Sequence, residues 1–136
     1  MKKHKGQVIV EFALILPLFL LIMYGIIYSG MMFHDYSTLS NIARSSAREA
    51  AISGISVAVG NRYTTIEAHY KDQFDSLLTS FYVAQDTENP IKIEQATADS
   101  IRSTIIMQLN VSGYFVEMIL PPTFGVQYYM RKEPTS

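Results

Sequence analysis

The chain has 136 residues, a formal net charge of -1, 49% hydrophobic and 17% charged residues, and no cysteine. Lack of cysteine excludes a disulfide framework, a thiolate nucleophile and a thiolate metal site, and the absence of a basic patch argues against a nucleic-acid partner. The near-neutral total hides a polarity, because Lys2, Lys3 and Lys5 precede the first apolar run while the chain from Ser29 onward carries 8 Lys and Arg against 11 Asp and Glu.

That run, Val8 to Tyr28, reads VIVEFALILPLFLLIMYGIIY and holds one charge, Glu11, in 21 residues. At about 1.5 Å of rise per residue it covers roughly the 30 Å of a bilayer's hydrocarbon core, so it is expected to span a membrane. The lysines before it place Met1 in the cytoplasm and the remainder outside, by the positive-inside rule. A secretory signal peptide has a shorter apolar region closed by small residues, whereas the first small-residue cluster here, Ala43 to Ala51, lies far beyond it and is charged. About 100 residues remain after the span, enough for one small domain.

Residues 1–6, MKKHKG, form a short basic leader ending in Gly6, and Glu11 is the fifth residue after that glycine. A glycine lets an extended backbone enter a protease cleft without a side-chain clash. Together with Val10, Phe12, Ala13, Leu14, Pro17, Gly25, Gly30 and the helical IARSSAREAA of Ile42 to Ala51, this arrangement resembles the N-terminal signature of TadE-like proteins, minor pilins or pseudopilins of the tight-adherence (Flp) pilus system. The resemblance covers about the first 50 residues, with a looser likeness in the closing VQYYMRKEP. Where the family commonly has Arg-Glu-Gly-Ala-Arg, this chain has Arg44, Ser45, Ser46, Ala47 and Arg48, keeping both arginines.

The resemblance implies cleavage between Gly6 and Gln7 by a prepilin peptidase, retention in the cytoplasmic membrane, and partnership with other pilin and pseudopilin subunits and the Tad assembly machinery. It implies a structural subunit for pilus biogenesis, adhesion and biofilm formation, with no cofactor. The alternative is an uncleaved single-pass anchor that displays a binding domain at the cell envelope. Glu11 either reaches the cytoplasmic headgroups or, as the resemblance implies, pairs with the α-ammonium of Gln7 on a neighbouring subunit. Pro17 removes one helical hydrogen bond within the span, and Gly25 with Ser29 forms a small-xxx-small pair that admits a close helix.

Helical spacing continues past the membrane through Met32, Tyr36, Leu39, Ala43, Ala47 and Ala50, with Asp35, Asn41, Arg44, Ser45 and Arg48 mostly on other faces. One helix is therefore expected from about Val8 to Ile52, ending near Ser53 and Gly54. After a loop, 54–63, a second helix is expected from Thr64 to about Val83, with Thr64 and Glu67 as a capping box and Ile66, Tyr70, Phe74, Leu77, Leu78 and Phe81 as its apolar face. Gln85 to Pro90 reads as a polar turn and Ile91 with Ile93 as a short strand. The clearest strand follows, with Ile105, Met107, Leu109 and Val111 facing one way and Ile106, Gln108, Asn110 and Ser112 the other. Tyr114 to Leu120 is expected to extend the sheet up to Pro121 and Pro122, and Phe124 to Arg131 to form the last strand.

The expected fold is α+β: leader 1–6, transmembrane helix 7–28, its extracytoplasmic continuation 29–53, and a head 54–136 with one further helix and an antiparallel sheet of three or four strands. His4, His34 and His69 have no helical partner at metal-ligand spacing, and His34, Asp35 and Ser37 point in different directions on a helix. No catalytic residue and no metal site is expected.

Overall fold

A computed structural model describes residues 3–52, 63–79, 81–111 and 113–132. The expected turn signals at Ser53, Gly54, Gly60 and Asn61, and the tail beyond Lys132, lie outside these residues.

Helix α1 (Lys3–Ile52) runs unbroken for 50 residues, about 75 Å at 1.5 Å per residue. Its two halves differ in surroundings. From Val8 to Ile27 the large apolar side chains are open to the outside, whereas from Tyr28 onward a stripe turns inward, with Asp35, Leu39, Ile42, Ala43, Ser46, Ala47 and Ala50 buried. Spacings of three and four residues place these on one helical face. The stripe differs from the expected one at its membrane-proximal end: Asp35 is fully buried and Tyr36 is 47% exposed. A polar side chain with a fixed partner outcompetes a tyrosine for the inner position, as shown below.

Helix α2 (Thr64–Leu77) starts where expected, but Thr64 is the first helical residue and no side chain caps the helix. Glu67 faces the sheet instead, its Oε1 accepting the Ile93 N–H at 2.7 Å, while the Tyr63 N–H reaches the Ile93 carbonyl at 3.0 Å. The start of α2 thus covers a sheet edge that would otherwise be unpaired. The helix also ends earlier than expected. Leu78 is extended, Phe81 lies in a turn, and Tyr82–Ala84 forms strand β1 with Tyr82 and Ala84 facing the core.

Strands β2 (Ile91–Thr97), β3 (Ser100–Leu109) and β4 (Thr123–Arg131) complete an antiparallel four-stranded sheet. β3 is central. Its residues 100–105 pair with β2 and 107–109 with β1, while 100–108 pair with β4 on the opposite edge. β1 and β2 therefore occupy one edge in line, separated by the polar turn, and the Gln85 N–H bonded to the Ile106 carbonyl at 3.0 Å keeps the edge continuous. Alternation puts Ile101, Ser103, Ile105 and Met107 on the buried face and Ile106 and Gln108 on the outer one.

Tyr114–Ile119 is a short helix, α3, rather than sheet. The N–H groups of Glu117 and Leu120 bond to the carbonyls of Gly113 and Val116, and Val116 and Leu120, four apart, are both buried. The buried positions Val116 and Leu120 fit the 3.6-residue period of a helix rather than the two-residue alternation of a strand.

The core lies between the outer half of α1 and the sheet. Leu39, Ile42, Ala43 and Ala50 meet Ile91, Ile93, Ile101, Ile105, Met107 and Val126, with Phe74 and Ile66 of α2 closing one side. Alanine side chains let the helix approach the sheet closely. At the contact Ser46 Oγ and Ser103 Oγ are 2.9 Å apart and Ser46 Oγ donates to the Ala43 carbonyl at 3.1 Å, so two buried hydroxyls satisfy one another.

Candidate functional site

The apolar segment that begins at Gly6 is the chain's one described helix long and apolar enough to cross a membrane. Among the described residues, the large apolar side chains of this segment are mostly exposed before Tyr28, apart from those at the cleft described below. It is compatible with single-pass anchoring.

Gly6 and Gln7 lie inside α1, not before it. The helix nevertheless begins poorly: its first turn is Lys3, His4 and Lys5, with no acidic residue to match the positive end of the helix dipole. Glycine at Gly6 costs the helix about 1 kcal/mol relative to alanine. Both effects weaken the first turns of α1.

Glu11 is exposed on the span, and Gln7 Nε2 donates to its Oε1 at 3.1 Å. The pair is one helical turn apart, so it supplies the carboxylate with one neutral donor within its own chain. Pro17 lies within α1, and the helix continues through it. Gly25 and Ser29 face open space, and a methyl group added at Gly25 would meet nothing within 4 Å. The six expected site residues, Gly6, Gln7, Glu11, Pro17, Gly25 and Ser29, therefore share one helix.

A polar cluster at the junction of span and head was not expected. Asp35 is fully buried, Oδ1 accepts the Thr79 backbone N–H at 2.9 Å, and Oδ2 accepts the Thr79 hydroxyl. Both carboxylate oxygens are used. His34 Nδ1 is 3.5 Å from Oδ1 but its side chain is 61% exposed, and Ser37 is exposed on another face. Tyr82 packs nearby and donates its hydroxyl to the Pro121 carbonyl at 2.9 Å. Burial raises the Tyr82 pKa and the Asp35 charge adds to the rise, so the phenol stays neutral. Asp35 thus pins the segment after α2 to α1. Its sequence signal was its place in the series Tyr28, Met32, Asp35, Leu39, Ile42, Ser46, which is a polar residue on the apolar stripe.

Farther along α1, Arg44 lies with its guanidinium carbon 5.4 Å from the Tyr128 ring centre and its Nε donates to the Tyr128 hydroxyl at 3.2 Å. The first arginine of the Arg44 to Arg48 run therefore fastens β4 to α1. Tyr70 of α2 bonds to Glu49, and burial with this acidic neighbour pushes its pKa up to about 12.

Among the described residues no three His, Asp or Glu side chains converge as a metal site. What the molecule offers is a long apolar rod fastened by its outer half to a small head.

No curated protein and no solved structure matches the chain. Residues 6–48, beginning at the glycine before the span and ending at Arg48, match the family model of TadE-like proteins, and this part of the chain is TadE-like.

Proposed function

We propose that the protein is a structural or assembly subunit, a minor pilin or pseudopilin, of a Tad-type (Flp) pilus. The single observation that carries this reading is the TadE-like match, which opens at Gly6 and covers span, Glu11 and helical continuation together. In this reading the leader is removed after Gly6 by a prepilin peptidase on the cytoplasmic face. The mature chain stays in the membrane by α1 with its head outside, and enters or helps build the pilus that serves adhesion and biofilm formation. The role is structural. A rod with an exposed apolar half suits lateral packing among other pilin helices, where Gly25 and Ser29 admit a close neighbour and Glu11 meets the new α-ammonium of Gln7 on another subunit.

The test is the N-terminus of the protein purified from membranes, read by mass spectrometry. A mature chain starting at Gln7, and retention of the leader when Gly6 is replaced by a bulky residue, are the expected results. An intact leader on the membrane-resident wild type would overturn the processing and favour an uncleaved anchor that displays a binding domain.

A further inference from the structure

The head does not stand clear of the apolar half of α1. β4 runs alongside α1 in the same direction: Phe124 meets Tyr36 at 6.3 Å between ring centres, and Tyr128 meets Arg44. Eight residues of helix and four of strand both advance about 12 to 13 Å, so the two elements keep step. The segment just before β4 must therefore lie toward the membrane. There Phe81 packs on Tyr28 at 5.3 Å, and α3 faces α1 across an open apolar cleft of about 850 Å³. One wall of the cleft is Pro17, Leu21 and Tyr28, and the other is Val116 and Ile119.

We propose that α3 is an interfacial lipid contact: it sits in the membrane leaflet on the side of the head, and acyl chains of that leaflet fill the cleft. The proposal rests on the membrane reading of α1. It follows from continuity, because Leu14 to Tyr28 on one wall belong to the segment expected within the bilayer, and whatever lies level with them shares that medium. The composition of α3 agrees. Of YFVEMI only Glu117 is charged, and Met118 is 67% exposed. A short helix satisfies part of its own backbone, and one exposed carboxylate restricts it to headgroup depth rather than the hydrocarbon centre. The span and α3 then fix the head at two points, so that it lies against the membrane instead of swinging on a single rod.

The native sequence lacks cysteine, so single cysteines introduced by mutation can carry an environment-sensitive fluorophore without background. The full-length protein is placed in vesicles of phosphatidylethanolamine and phosphatidylglycerol, with label at Met118→Cys, at Ile22→Cys on the span and at Ile106→Cys on the outer face of the sheet. Doxyl-labelled lipid is expected to quench the Met118 and Ile22 probes about two-fold and to spare Ile106, while aqueous iodide quenches only Ile106. A Met118 probe quenched by iodide and untouched by doxyl lipid overturns the proposal. So does one shielded from both that becomes exposed when protein is diluted in lipid, because then a second copy covers α3. Loss of doxyl quenching at Ile22 would instead refute the membrane reading of α1 itself.

Discussion

Replacing Asp35 tests the junction between rod and head. In Asp35→Ala the Thr79 N–H and hydroxyl both lose their acceptor. An unsatisfied buried donor costs about 1–3 kcal/mol and a bond to a charged group contributes about 1.5–3 kcal/mol. Thr79 is only half-buried, so water recovers part of this, and the combined loss falls at about 2–4 kcal/mol. Asp35→Asn keeps the shape and one carbonyl oxygen for the N–H, and should lose about 1–2 kcal/mol. Urea unfolding of the full chain in detergent micelles, followed by far-UV circular dichroism, gives both values. A cycle with Thr79→Val isolates the hydroxyl contact and should show a coupling of about 1 kcal/mol. If Asp35→Ala falls within about 0.5 kcal/mol of wild type, the buried carboxylate does not hold the junction and the reasoning fails.

Glu11→Gln should leave insertion and leader removal intact while reducing incorporation into the pilus or its assembly complex, measured as the fraction of subunit recovered with sheared filaments; wild-type recovery would reduce Glu11 to a carboxylate reaching for headgroups. Tyr70 titrates at about 12 in the folded protein against an ordinary 10.0, so its neutral form stabilises the fold fully below pH 10 and that contribution is lost as pH rises toward 12. Alkaline denaturation midpoints should therefore fall more steeply for wild type than for Tyr70→Phe, and parallel profiles would refute the role given to the Glu49 contact.

The parts of the fold legible in the sequence are those where one periodicity acts alone. Val8 to Ile52 keeps helical spacing without a competing signal, and Ile105 and Met107 alternate with polar neighbours beside β-branched residues, so the helix and the central strand could be read directly. The membrane-segment residues were legible as a motif, from Gly6, Glu11 and Pro17 in order.

Three of the differences share one location. The helical spacing of Leu77, Leu78 and Phe81 runs past the true end of α2, where Thr79 turns away to Asp35 and the next residues join β3. Asp35 itself was assigned to an outer face because charge normally points to water, a rule that fails when both oxygens have donors. The segment after Gly113 is apolar enough for a strand, but its buried residues, Val116 and Leu120, are four apart as on a helix. Each outcome is decided by contacts between segments tens of residues apart: Asp35 with Thr79, Tyr28 with Phe81, Tyr82 with Pro121. All three contacts lie where the head meets the emerging span. Local pattern is weakest there because the surroundings of α1 change within a few turns from an exposed apolar surface to a packed core, and Asp35, misplaced by pattern alone, has its partner in Thr79. The same contacts fix how the head sits on the inner end of α1's buried stripe.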